Sequence, residues 1–277
     1  MHREAACARC VRTWAHIFWN DSSRLLDSGE QLDVLAIGDS WFHYPFNNLI
    51  SPLLEALERP TIYVIGDNGA RADELSTGSW LGNFRKMLAG YPQIRLVCVS
   101  AGGNDFAGGG DLDDKILAPD CSGATTVEQC YRAGEPQGVF DSVETARGDL
   151  LAAVAAVRPD LTVLVHNYDY AIPDGRALIG VRSWLKLPMD NARVPTAGAP
   201  KDRLRRDIVR DLIDRFTLCL DDVRRCPRSR WSWCGRRERL RTPVGRTSCI
   251  ASLRASPRSS TTARAAPRVT RSDCPDR

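Results

Sequence analysis

The sequence predicts an α/β protein, with a parallel sheet covered by helices on both faces, over residues 31–222. Three observations carry this. Short apolar, often β-branched runs alternate with stretches of helical period. Each run is closed by a polar cluster containing Gly, Asp or Asn. The 277 residues, 43% hydrophobic and 26% charged, suffice to bury one sizeable core.

The elements follow in order. Leu32-Asp-Val-Leu-Ala-Ile37 reads as a buried strand closed by Gly38-Asp39. Residues 49–57 keep a helical period until Pro60 stops it. Thr61–Ile65 is a second strand, closed by Gly66-Asp67 and Asn68-Gly69, and a helix is predicted over 73–88. Ile94–Val99 is a third strand that runs into Ala101-Gly-Gly-Asn-Asp105. Residues 106–138 are Gly-rich and irregular, a long excursion of the sort that covers a site. Its Gly108–Gly110 lacks the Lys-Ser/Thr of a phosphate loop and reads as a flexible lid. A helix over 143–157 leads to a fourth strand at Leu161–Val165. Residues 201–220 form an amphipathic helix with Leu204, Ile208, Leu212, Ile213 and Phe216 on one side. Ligands of such sheets bind beyond the C-terminal strand ends, where all the polar clusters fall.

Composition narrows the function classes. No run reaches the 18 or so apolar residues of a membrane span. Met1–Asn20 lacks the apolar stretch of a secretory leader, so residues 1–30 read as an N-terminal extension and the location as cytoplasmic. The net charge of +4 hides a break: residues 224–277 hold 15 Arg, no Lys and three acids, while the preceding body is net acidic. Of the ten cysteines, Cys7 and Cys10 lack the second pair of a zinc site, and Cys98 reads as a core residue. Cys121 and Cys130 flank a short loop and form a disulfide if the compartment is oxidising. Four more, Cys226, Cys234, Cys249 and Cys274, fall in the Arg-rich tail.

Gly38-Asp39-Ser40, Gly69 and Gly102-Gly103-Asn104-Asp105 close three successive strands. One such cluster is an ordinary turn. The three in order, with Gly38-Asp-Ser-Trp-Phe42 and His166-Asn-Tyr-Asp-Tyr-Ala-Ile-Pro173, resemble the blocks of the SGNH hydrolase (GDSL esterase) family over about residues 32–175. The resemblance implies a three-layer αβα sandwich with a flavodoxin-like sheet, acting as a serine esterase on carboxylic esters or acetyl groups. Ser40 is then the nucleophile, near a helix N-terminus whose partial positive charge favours developing anionic character. The Ser40 and Gly69 backbone N–H groups and the Asn104 amide are the oxyanion donors. Gly66 is a rival to Gly69, but it directly ends its strand. Trp41, Phe42 and Tyr44 either shape an acyl pocket or pack in the core. The mechanism needs no metal or organic cofactor, and the expected partner is a small-molecule or acylated-glycan ester.

The family's D-x-x-H motif, source of the base and its orienting acid, is missing. Of the four histidines, His2 and His16 lie outside the predicted domain, and His43 is at best a substitute base. His166 ends the fourth strand and reads as pocket lining or a supporting hydrogen bonder.

The tail, 223–277, lacks apolar periodicity and reads as disordered or out of frame. Moving each codon start to the present third base turns Arg230-Trp-Ser-Trp-Cys234 into a largely apolar run where a fifth strand is due. The same shift lets Arg246–Leu253 read D-E-L-H-R-E-P, which contains D-x-x-H. The final strand is therefore expected to be lost, the fourth strand's edge to be bare, and the chain to be poorly stable and poorly active. Two other readings stand beside the esterase: an impaired remnant without the Asp-His pair, and nucleic-acid binding by the Arg tail. The second ranks lower, since the tail has no Lys and little aromatic character beyond Trp231 and Trp233.

Overall fold

The computed structural model describes residues 16–45, 48–57, 59–108, 111–173, 175, 184–196, 201–225, 231–233, 238–241 and 247–255. Five parallel strands form the body of the sheet: β1 (Ile17–Trp19), β2 (Val34–Gly38), β3 (Ile62–Ile65), β4 (Leu96–Ser100) and β5 (Thr162–Asn167). Their spatial order is β1-β3-β2-β4-β5. Without the edge strand β1 this is the flavodoxin-like order, whose switch point lies between β2 and β4.

The strands are apolar on both faces because both faces are covered. Leu35, Ile37, Tyr63, Ile65, Val97, Val99, Val163 and Val165 point into one core. Packed on that side are α4 (Ala72–Leu75), α5 (Gly78–Gly90), α7 (Gln137–Val157) and α9 (Lys201–Arg225). Val34, Ala36, Ile62, Val64 and Cys98 point the other way, into a smaller core under α3 (Ile50–Ala56) and the short α2 (Ser40–His43). The predicted face of α9 is the buried one: Leu204, Ile208, Leu212, Ile213 and Phe216 all belong to the larger core.

Several predicted boundaries move. The helix expected over 73–88 is two helices, α4 and α5, parted at Ser76-Thr77. Residues 106–138 hold α6 (Gly103–Ala107) at their start, a π turn over Leu112–Ile116 and a 3-10 turn over Glu128–Cys130. A Leu117–Tyr131 bridge joins the arms of this excursion, and α7 begins six residues before the predicted start. Gly109 and Gly110 lie outside the described residues.

Two corrections concern the ends. Within the predicted extension, residues 1–30, Ile17–Trp19 belong to the sheet: β1 pairs with β3, and Ile17 and Phe18 are fully buried. The following helix, α1 (Ser22–Ser28), is capped by Asp21, which accepts from Arg24 N at 2.9 Å. A three-residue strand is too short for period-2 alternation to reveal. At the other end, the β5 edge expected to be bare is covered. Strand β8 (Thr247–Ala255) runs antiparallel to it, from Thr162 opposite Arg254 to Asn167 opposite Cys249. Strands β6 (Trp231–Trp233) and β7 (Glu238–Arg241) pair with β8 in turn. An edge offers unpaired N–H and C=O groups that any extended backbone can satisfy, whatever its side chains. Cys7, Cys10, Cys226, Cys234, Cys274 and His2 lie outside the described residues.

Candidate active site

The clusters at the ends of β2, β3 and β4 meet above the switch point. Strand β2 ends at Gly38, and Asp39 then caps α2 by accepting from Trp41 N at 3.1 Å. Ser40 is thereby the first residue of α2 and is largely buried. Its carbonyl accepts from Tyr44 N at 2.9 Å, closing the single turn. Its backbone N–H has no acceptor among the described residues.

Gly69 follows β3 in a turn with φ +83°, and nothing stands within 4 Å of where its Cβ would be. Its N–H also has no acceptor among the described residues. Gly66, the rival, is spent on structure. Its N–H donates to Asn20 Oδ1 at 3.1 Å, its carbonyl accepts from Asn20 Nδ2 at 2.7 Å, and a Cβ there would lie 2.0 Å from the Gly38 carbonyl.

Asn104 lies in α6, just past β4, half-buried. Its Nδ2 donates to the Ala70 carbonyl at 3.0 Å, which leaves the second amide hydrogen uncommitted among the described residues and ties Asn104 to the Ala70-Arg71 peptide, one residue past Gly69. Asp105 reinforces the tie, accepting from Ala72 N at 2.9 Å. Arg71 pairs with Asp111 at 2.6 Å and reaches Asp105 at 3.9 Å, binding the Gly69 loop to the start of the excursion.

A buried polar cluster under these loops escapes sequence reasoning. Asp39 Oδ1 accepts from Ser100 Oγ at 3.0 Å, and the same hydroxyl lies 3.5 Å from His166 Nδ1. Tyr168 OH accepts from Gly103 N at 3.0 Å and donates to Asp39 Oδ2 at 3.4 Å, linking the β4 end to the cap of Ser40. Burial raises the Asp39 carboxyl to about 6, against the opposing hydrogen bonds from Trp41 and Ser100. Burial, helped by the nearby Arg147 charge, lowers His166 to about 3, so its ring is neutral at ordinary pH. Arg147 is itself buried, donates to the His166 carbonyl at 3.1 Å, and lies 4.5 Å from the Phe216 ring centroid. Burial lowers it to about 10. The signals for this cluster were thin: Asp39 and Tyr168 belong to the quoted blocks, but Ser100 and Arg147 read as ordinary strand and helix residues.

The three candidate pocket aromatics separate. Phe42 is core, buried against Leu49, Leu53 and Cys98 beside a cavity of about 10 Å³ that His166 also lines. That is room for about one water and not for an acyl group. Trp41 and Tyr44 are half-buried. Trp41 packs 5.0 Å from the His166 ring and 5.8 Å from Tyr168, and Tyr44 stacks on Trp184 at 6.1 Å.

No described histidine is hydrogen-bonded to Ser40. His43 lies one turn on, its Nε2 buried without a partner and its pKa lowered by burial, with Asp67 opposing. The His166 Nε2 is likewise buried without a partner. His16 pairs with Glu30 at 3.1 Å, by the other end of the sheet, where its carbonyl accepts from Ile62 N. Among the described residues no cluster of His, Cys, Asp and Glu is arranged to hold a metal ion. None of the described helices is long and apolar enough to cross a membrane. No protein-family model matches the chain, and no curated protein matches it.

Proposed function

We propose that this domain is a serine esterase site of the SGNH (GDSL) type, acting on carboxylic esters or on acetyl groups of a larger glycan-like substrate. Ser40 Oγ attacks the carbonyl carbon, and the oxyanion that forms accepts from Ser40 N–H, Gly69 N–H and the free Asn104 amide hydrogen. One observation supports the reading: at the ends of β2, β3 and β4, adjacent strands of a parallel sheet, Ser40 N–H, Gly69 N–H and one Asn104 amide hydrogen have no acceptor among the described residues. Donors that are already oriented need no reorganisation as charge develops, which is why they lower the barrier. The chemistry uses no metal or organic cofactor.

A second reading is favoured by the histidines. With His166 neutral in the interior and His43 unattached to Ser40, no described histidine stands ready to take the hydroxyl proton. The chain is then a catalytically impaired form of the same site, its activity lowered by several orders of magnitude, with about 10³- to 10⁴-fold acceleration over water remaining from the oxyanion and binding contributions. A fluorophosphonate probe separates the readings. Labelling that vanishes in Ser40→Ala, with p-nitrophenyl acetate hydrolysis lost in parallel, supports an activated nucleophile. Hydrolysis without labelling supports the impaired site if Asn104→Ala and Ser40→Ala both lower it. Labelling or hydrolysis unchanged in Ser40→Ala would falsify the esterase reading in both forms.

A further inference from the structure

The excursion between α6 and α7 carries two cysteines that the proposed esterase chemistry does not use. Cys121 and Cys130 are free thiols, both buried. Backbone brings them together. Leu117 and Tyr131 form an antiparallel bridge, Ala118 N donates to the Cys130 carbonyl at 2.8 Å, and Arg132 N donates to the Ile116 carbonyl at 2.9 Å. The arms of the loop therefore run side by side. Cys121 Sγ donates to the Cys130 carbonyl oxygen at 3.6 Å. Disulfides form where two cysteines face one another at short range, and cysteines whose loop arms are already paired by backbone need little movement to meet. The other described cysteines of the body, Cys98 and Cys219, sit in β4 and on α9.

We propose that Cys121 and Cys130 are a disulfide-forming pair that staples the 117–131 loop of the excursion. With oxidised glutathione as oxidant, one thiolate attacks the glutathione disulfide, forming a mixed disulfide and releasing one glutathione thiolate. The second cysteine thiolate attacks the mixed disulfide, closing the Cys121–Cys130 bond and releasing the second glutathione. The two thiol protons end on the two glutathiones, and the two cysteines are oxidised as one glutathione disulfide is reduced. The loop is well placed to transmit the constraint: Cys121 N donates to the Ala192 carbonyl at 2.8 Å, and Tyr131 OH donates to Asp211 on α9 at 2.8 Å. The staple thus ties the excursion to α8 (Lys186–Asn191) and α9. Burial holds the Cys130 thiol up at about 12, so exchange is slow at neutral pH and quickens as the pH is raised.

Trypsin provides the test, because cleavage after Lys115 and Arg132 leaves both cysteines in one peptide, Ile116–Arg132. The folded full-length chain is incubated with oxidised glutathione until its mass is constant, then unfolded, alkylated and digested. The expected peptide is two hydrogens lighter than the dithiol and takes up no alkylating agent. In Cys121→Ser the remaining Cys130 is alkylated or carries glutathione. The oxidised chain melts higher, by about 5 °C for a short loop in a domain of this size. A peptide that carries two alkyl groups or stops at the mixed disulfide overturns the proposal. So does a linked peptide whose parent chain melts lower, since the bond would then be foreign to the native packing. None of these readouts depends on esterase activity.

Discussion

Asp39 is the residue where helix cap, buried carboxyl and the proposed nucleophile meet. Its pKa in the folded chain, about 6, lies above the ordinary 3.8. The folded state therefore holds this proton more tightly than the unfolded chain. That contribution to stability is full below 3.8 and lost as pH rises through 6, on the order of 3 kcal/mol in all. His166 works in the opposite sense. Its folded value of about 3 lies below 6.5, so its contribution is present above 6.5 and lost as pH falls toward 3. Between about pH 4 and 6 the two oppose each other, and we expect the chain's stability to vary little there. Asp39→Asn removes one side of the balance. Urea denaturation across this window should then show the variant losing stability on acidification more steeply than the parent; an identical slope would exclude the linkage.

Gly66 and Gly69 show at the same scale how similar letters carry different constraints. Both have positive φ, but a Cβ at Gly66 runs into the Gly38 carbonyl, whereas Gly69 faces open space. Gly66→Ala should cost about 3 kcal/mol or more, from strain and overlap together. Gly69→Ala should cost about 1 kcal/mol, from strained φ alone. Chemical denaturation of the two variants checks the ranking, and equal losses would contradict it.

Element by element, the four long-recognised strands and the amphipathic α9 were legible because their apolar period is set by what they bury. The sequence was weaker where an element is short or its ends are decided by neighbours. The three-residue β1 exists because the β3 edge is there to pair with it. The break between α4 and α5 leaves α4 to be held by Asp105, which accepts from Ala72 N. Asp105→Asn replaces the carboxylate that also faces Arg71, and should loosen this corner. Faster amide exchange at Ala72 and in α4, with α7 unchanged, is the expected signature; equal protection in both proteins would show the corner is held by packing alone.

At the scale of the whole molecule, the β5 edge matters most. Strand β8 covers it, so truncation after Arg225 uncovers a row of backbone donors and acceptors. Light scattering should show the truncated chain self-associating at concentrations where the full chain does not; a monodisperse truncated chain would mean that β8 contributes nothing to the edge. The out-of-frame reading of the tail belongs here too. Sequencing the encoding DNA across codons 215–255 should reveal an open displaced frame containing D-x-x-H. A stop codon or the absence of that motif there ends the idea.

The sequence by itself determined the α/β class, the succession of buried strands, and the three strand-end clusters that hold Ser40, Gly69 and Asn104. It could do so because hydrophobic period and turn chemistry are local properties. Tertiary structure alone decided which donors stay uncommitted. Gly66 N–H is consumed by Asn20, 46 positions away, while Gly69 N–H is not. It also decided that Asp39, Ser100, Tyr168 and His166 form one buried polar cluster, and that an antiparallel strand takes the edge where a parallel one was due. These outcomes rest on partners far apart in the chain. Hydrogen-bond saturation and desolvation act through space, and no window of sequence contains them.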